Sequence, residues 1–368
     1  ILNTLGKAQV HIIGALISLI LGIFIVPIVI AYSKKEGLVD LPNERKIHKI
    51  PVSRLGGVAI FTSTMLTFLL LVFLSYYPYG SLLSGILLGG SLMFLLGLVD
   101  DVYNLNAKFK LFLQVAIVTV VYLLGVKIDT IFNPFQMGEV VHLAWWLSYP
   151  ITLLWIVGIC NAVNFIDGVD GLAGSVITVN SITLAIVAVS MTPSNSISAL
   201  IAFILSGSML AFLAYNFNPA KIFMGDSGSL FSGFLLASLS ITGVMKTATL
   251  AILLPFVVLA VPIIDITFST LRRILKGHSP FVADAEHIHH KLLKAGLSQN
   301  KTVVTITFVA IVGGAIATSL VGSIGHYLIY MLVLLLIMFG LSLIAITRKK
   351  NINPEQILEE EQHKNEEQ

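Results

Sequence analysis

The chain has 368 residues, 56% apolar and 11% charged, with a net charge of +3 and a mean hydropathy of +0.94. Soluble domains carry about 25% charged residues, so this composition marks an integral membrane protein, and its continuous apolar runs exclude a β-barrel. The charge gives no sign of nucleic-acid binding, and the single cysteine, Cys160, excludes an intrachain disulfide or a Cys-based metal site.

Apolar runs of about 20 residues, enough to cross ~30 Å of hydrocarbon as helices, recur along the whole length. They predict an all-α polytopic membrane protein with about eleven transmembrane helices, at 11–32, 55–77, 81–99, 111–126, 146–163, 172–191, 197–217, 229–244, 249–271, 302–321 and 327–347. The first run is too long for a signal-peptide core and lacks a small-residue cleavage site, so it is read as a span. When alternate gaps are assigned to opposite sides, all 22 Lys and Arg except Lys7, Lys127 and Lys246 fall on one side. By the positive-inside rule that side is cytoplasmic, which puts the N-terminus outside and the C-terminus inside. Residues 1–348 read as one integral-membrane domain and 349–368, with Glu359-Glu360-Glu361, as an acidic cytoplasmic tail. The outer gaps are short, except that between Lys127 and Trp145, which has room for a small hairpin.

The inner gaps hold nearly all the remaining polar chemistry. The first runs from Asp40 to Gly57 and contains Arg45, Lys46, His48, Lys49 and Arg54. Such bases suit an anionic inner leaflet, and would equally hold a lipid phosphate. Asp100-Asp101 closes the third span. A helix C-terminus disfavours negative charge, so Lys108, Lys110, a bound metal or all three must offset the pair. In the next inner gap Asn164, Asp167 and Asp170 lie three apart; Asp170 can cap the following helix, which leaves Asn164 and Asp167 unexplained. Phe223-Met224-Gly225-Asp226-Ser227-Gly228 precedes the eighth span. There Asp226 or Ser227 can cap the helix, or Asp226 can bind a divalent cation while helix-start amides face a phosphate. Phe223 reads as packing or as a stacking plate for a base. Asp265 is the one acid well inside a span, and its role stays open. His287-Ile288-His289-His290 lies beside Lys291 and Lys294; its spacing is not that of a zincin, and donors to an anionic ligand fit better than zinc ligands.

Acids for Mg²⁺, which prefers oxygen ligands and bridges carboxylates to phosphates, bases for phosphates and an aromatic for a base suggest a nucleotide-linked donor meeting a lipid phosphate. Taken in order, five motifs resemble the polyprenyl-phosphate N-acetylhexosamine-1-phosphate transferases over all but the acidic tail. They are Arg45-Lys46-Ile47-His48 with Arg54-Leu55-Gly56-Gly57; Asp100-Asp101 with Lys108 and Lys110; Asn161-Ala162-Val163-Asn164 through Asp170-Gly171; Phe223 to Gly228; and His287-Ile288-His289-His290. The related phospho-MurNAc-pentapeptide transferases carry three consecutive histidines in the last motif. Ile288 interrupts that run here, so the chain is most similar to the branch using UDP-GlcNAc and undecaprenyl phosphate.

The resemblance implies a Mg²⁺- or Mn²⁺-dependent enzyme of the bacterial plasma membrane with a cytoplasmic site and a possible homodimeric state. In it the lipid phosphate attacks the β-phosphorus of UDP-GlcNAc to give undecaprenyl-diphospho-GlcNAc and UMP, the first lipid-linked step of an envelope glycopolymer such as wall teichoic acid. It implies Asp226 and Asp167 as metal ligands and Asp100, Asp101 and His290 as catalytic residues. Substrate contacts would come from Lys46, His48, Lys108, Lys110, Asn164, Asp170, Phe223, His287 and His289, with Phe223 and Asp170 on the uracil. Alternatives are another UDP-N-acetylhexosamine, phospho-MurNAc-pentapeptide transfer, or a secondary transporter. Transporter sites sit near the bilayer midplane, whereas these acids cluster at inner ends of spans.

Overall fold

A computed structural model describes residues 7–40, 51–74, 81–132, 140–190, 196–242, 253–275 and 287–321. In chain order the elements are α1 (Lys7–Lys35), β1 (Val39–Asp40), β2 (Val52–Ser53), α2 (Gly56–Phe73), α3 (Ser81–Tyr103), α4 (Ala107–Leu123), β3 (Thr130–Phe132) and β4 (Val140–His142). They continue with α5 (Trp145–Ile166), α6 (Leu172–Ser190), α7 (Ser196–Asn216), α8 (Gly225–Ser240), α9 (Leu253–Val258), α10 (Ala260–Leu275), α11 (Ile288–Lys294) and α12 (Gln299–Val321).

The protein is a helical bundle built for lipid. Among the described residues seven helices, α1, α2, α3, α5, α6, α7 and α12, are long and apolar enough to cross a membrane. The predicted segments at 111–126 and 229–244 correspond to the shorter α4 and α8, and that at 249–271 is interrupted between α9 and α10. The segment at 327–347 lies outside the described residues. Two antiparallel strand pairs, β1–β2 and β3–β4, are the only sheets among the described residues. The second is a hairpin in the long gap after Lys127, where the sequence leaves room for one.

The layers follow from which faces are apolar. Nearly all of α6 and α8 is buried, so they form the centre. Helix α7 packs between α6 and α1, α3 and α5 flank α8, and α12 covers α6. Outward faces carry large apolar side chains, such as Ile12, Leu16, Ile20, Phe24 and Ile28 of α1 and Leu66, Leu69 and Phe73 of α2. In water such a belt would be a liability; in a bilayer it is the solvent-facing side. Exposed Trp145 and Trp146 open α5, the residue type that anchors helix ends at a membrane interface.

Helix α10 inverts the pattern of a soluble helix. Asp265, Ser269 and Arg273, four residues apart, are 3%, 3% and 8% exposed, while Phe268 and Leu275 are 64% and 78% exposed. Its polar stripe faces the protein and its apolar face points out. Ionisable residues in membrane helices are expected to face the bundle interior in this way.

Candidate active site

The site is built around the first turn of α8. The preceding strand-like segment is laced to the start of α2: Phe223 N–H donates to Ser53 O (2.7 Å), Gly56 N–H to Phe223 O (2.9 Å) and Gly57 N–H to Met224 O (2.8 Å). A Cβ at Gly57 would strike Ser227 and Gly228, and one at Gly97 would strike the Asp226 backbone, so α2, α3 and α8 meet backbone to backbone. Gly225, at φ +71°, then turns the chain into α8 with Arg54 O and the Asp101 carboxylate each 2.6 Å from where its Cβ would lie. Both crowding and handedness demand glycine there. The Arg54–Leu55–Gly56–Gly57 motif thus makes this junction, with Arg54 also paired to the buried Asp40.

Asp101 reaches across from α3 to the α8 N-terminus. Its Oδ1 accepts from Asp226 N–H (2.7 Å), and its Oδ2 accepts from Ser227 N–H (3.0 Å) and Ser227 Oγ–H (2.6 Å). The positive end of one helix therefore offsets the charge that the negative end of another disfavours. The anion on the helix-start amides is a side chain of this chain. The N-cap position of α8 is Met224, and Asp226 sits in the first turn, so neither Asp226 nor Ser227 caps the helix as the simplest reading of the sequence allows.

Asp100 faces the other way. Its Oδ1 accepts from Leu105 N–H (2.7 Å), which shapes the turn into α4, and its Oδ2 accepts from Lys110 Nζ (2.9 Å). The same Lys110 ammonium is paired with Asp226 Oδ2. Asp226 Oδ1 accepts from Asn164 Nδ2 (2.9 Å), which also donates to Ser229 Oγ (2.9 Å). One lysine thus bridges acids from α3 and α8, and α5 adds an amide. Lys108 is exposed two residues earlier on α4, and Asn106 caps α4 through Lys108 N–H; of the two lysines only Lys110 joins the acids.

Asp167 follows directly on α5, at its C-cap. Burial, and then the charges of Asp226, Asp101 and Asp170, push this carboxyl well above the usual range. Asp170 Oδ2 accepts from Asn218 Nδ2 (3.2 Å) and Ala220 N–H (3.1 Å), so its bonds reach across to the segment after α7. Asn216 ties both loops together, accepting from Gly171 N–H (2.9 Å) and donating to Ile222 O (2.8 Å). The sequence carries one signal for these two residues, an Asn pair at a helix end beside Pro219. Asn161, in the same motif as Asn164, pairs with Gln114 (2.7 Å) and locks α5 to α4.

The histidines lie against this loop. The His287 ring is 5.2 Å from Phe165, 5.8 Å from His289 and 6.4 Å from His290. His287 and His289 are buried and His290 is half-buried. Burial, reinforced by charge on His290, pulls the His289 pKa down to about 4, so this ring is neutral near pH 7. Phe223 is half-buried beside the acids' junction. Lys46 and His48 lie outside the described residues.

Among the described residues no three His, Cys, Asp or Glu side chains already converge as a metal cage. The donor chemistry nonetheless fits a hard cation: Asp100 and Asp226 present oxygens to one shared ammonium, and Asp167 adds a further carboxylate nearby. That cluster carries more negative than positive charge, which favours binding a divalent ion with oxygen ligands.

The profile of glycosyl transferase family 4 matches residues 83–244, a stretch spanning Asp100, Lys110, Asn164, Asp167 and Asp226. The chain is 38% identical over 310 residues, 84% of each chain, to the probable undecaprenyl-phosphate N-acetylglucosaminyl 1-phosphate transferase of Bacillus subtilis. It is 33% identical to the decaprenyl-phosphate N-acetylglucosaminephosphotransferase of Mycobacterium leprae, covering 73% of each chain. It is 29% identical to the undecaprenyl-phosphate alpha-N-acetylglucosaminyl 1-phosphate transferase of Escherichia coli K12, covering 76% of this chain and 75% of that protein.

Proposed function

Because this chain belongs to glycosyl transferase family 4, we propose that it transfers GlcNAc-1-phosphate from UDP-GlcNAc to undecaprenyl phosphate and releases UMP. It is a membrane-embedded phosphoglycosyltransferase acting on a polyprenyl phosphate. The observation that carries the residue-level reading is the Lys110 bridge between Asp100 and Asp226, with Asn164 on the far oxygen of Asp226. It puts a cation, two acids and an amide at one junction of four helices.

Phosphoryl transfer asks a protein mainly to position groups and neutralise charge. An oxygen of the lipid phosphate attacks the β-phosphorus of UDP-GlcNAc; the new P–O bond forms as the bond to UMP breaks. A phosphate monoester is largely ionised at neutral pH, its second pKa being ≈ 6, so attack needs no strong base. We assign Asp100 to orienting the acceptor phosphate and Lys110 to neutralising phosphoryl charge. Asp226, with Asp167 and Asn164, would hold Mg²⁺ or Mn²⁺. When bound, that ion supplies Lewis-acid stabilisation of phosphoryl oxygens. Asp101, whose oxygens are taken by α8, holds Asp226 in place. Phe223 and Asp170 are assigned to the uracil, and His287, His289 and His290 to the donor side. Lys46 and His48 are assigned to substrate phosphate, and exposed Lys108 to approaching phosphates.

The same reading places the site at the cytoplasmic face of a bacterial plasma membrane, in an eleven-span protein with N-terminus outside and C-terminus inside. Its support is the one-sided distribution of Lys and Arg. A homodimeric state and a place at the start of wall teichoic acid or a similar polymer belong to the same proposal. The test is UMP release by purified protein supplied with undecaprenyl phosphate, Mg²⁺ and a panel of UDP-sugars. UDP-GlcNAc should be the preferred donor; preference for UDP-MurNAc-pentapeptide, or no UMP from any donor, would overturn the proposal.

A further inference from the structure

We infer that Asp265 is a positioning residue for the transfer, acting through His287 on the donor side of the site. Asp265 lies in the inward polar stripe of α10. Its Oδ2 is 3.0 Å from His287 Nδ1, and its Oδ1 accepts from Ile288 N–H (2.8 Å). The two oxygens thus hold two consecutive residues at the point where α11 begins. His287 is the N-cap of α11, in extended backbone, and makes no side-chain capping bond of its own. Asp265 supplies that cap from another helix.

This contact fixes more than a helix start. A carboxylate can only accept, so Nδ1 must carry the proton it shares with Asp265, and Nε2 is the one ring nitrogen left for another partner. A carboxylate behind an imidazole sets tautomer and ring plane in this way wherever a histidine must present one nitrogen. The consequence reaches the end of α5, with Asn164, and the loop after it, with Asp167. The His287 ring is tilted against Phe165 and parallel, within 8°, to His289. His289 Nε2 is buried without a partner among the described residues, and it abuts Gly168, where a Cβ would come within 2.6 Å. Asp265, His287, His289 and Gly168 therefore form one packed line from α10 to the loop that carries Asp167.

The inference rests on the proposed use of UDP-GlcNAc as donor. Its test is Asp265→Asn in full-length protein. The amide oxygen of Asn can still accept from Ile288 N–H, so α11 stays anchored. Its NH₂ would now face Nδ1 and force the proton onto Nε2, the reverse tautomer. We expect the KM for UDP-GlcNAc to rise about tenfold to a hundredfold, the range for loss of an orienting partner. The KM for undecaprenyl phosphate should hold and kcat should change far less. His287→Ala should show the same KM split, and the double variant should be no worse than His287→Ala, since residues acting as one unit do not add. Unchanged KM in Asp265→Asn, additive losses in the double variant, or equal rises in both KM values would overturn the inference while leaving the function intact. Wild-type protein that releases no UMP from UDP-GlcNAc would overturn the function and this inference with it.

Discussion

At the residue scale, adjacent side chains take different work because their partners come from different helices. Asp100 binds the turn into α4 and the Lys110 ammonium; Asp101 binds the first amides of α8. We therefore expect the two Asn variants to fail in different ways. Asp101→Asn would turn an amide NH₂ toward N–H donors, leaving buried groups unmatched at a cost of about 1–3 kcal/mol. It should lower the thermal unfolding temperature in detergent as well as activity. Asp100→Asn should lose about 10²-fold or more in kcat, the scale of one positioned catalytic group, with a far smaller change in unfolding temperature. Equal loss of stability in both variants would contradict this division. The sequence marks both acids as unusual but cannot divide them, since Asp101's partners lie more than a hundred residues along the chain. Lys108 and Lys110 illustrate the same limit: identical residues two apart on a helix point to different surroundings.

His289 gives a second residue-scale expectation, in pH. Its folded pKa is lowered to about 4 from 6.5. Between these values the unfolded chain binds a proton that the folded chain refuses, so stability present above pH 6.5 is lost as pH falls toward about 4. His289→Gln, neutral throughout, should flatten that acid-side slope in thermal unfolding scans from pH 7 to pH 5. An unchanged slope would mean that other groups carry it.

At the scale of elements, periodicity along the chain locates helices well and their faces poorly. The long apolar runs coincide with α1, α2, α5, α6, α7 and α12 because a bilayer demands continuous apolar length. The segment at 249–271 does not coincide with one helix. A hydropathy window averages over faces, so it merges α9 with α10 and stops before Arg272 and Arg273, which belong to the last turn of α10. The inward polar stripe of α10 becomes visible only once its neighbours are in place. That geometry predicts opposite environments for adjacent positions. A nitroxide attached at Phe268 should be strongly relaxed by lipid-dissolved oxygen, and one at Ser269 should be both immobilised and shielded. Reversed accessibility would mean that α10 turns its polar stripe outward. The native Cys160 is buried, which favours labelling at the introduced sites.

For the whole molecule, the bundle exists to bring helix ends together. Helices α3, α4, α5 and α8 contribute Asp100 and Asp101, Lys110, Asn164 and Asp226 at one junction, and glycines at 57, 97 and 225 let the backbones close enough to do so. The motifs were legible as chemistry from their order in the sequence. Their convergence was not, because it depends on long-range backbone pairing such as that of Phe223 with Ser53. If the acids lie on the cytoplasmic face, a reporter fused after Lys350 should be cytoplasmic and reporters near Gly80 and Asn195 external. The opposite result would reassign every gap.

The central claim is that this junction moves a phosphosugar and not a bare sugar. Attack at the β-phosphorus keeps that phosphate with GlcNAc, whereas attack at the sugar carbon would leave it on the nucleotide. The measurement is the fate of label from UDP-GlcNAc carrying ³²P at the β position, incubated with purified protein, undecaprenyl phosphate and Mg²⁺, beside an Asp226→Asn control. Label should pass into the lipid phase with release of unlabelled UMP, and Asp226→Asn should abolish both. Label recovered as UDP, or transfer undiminished in Asp226→Asn, would contradict it.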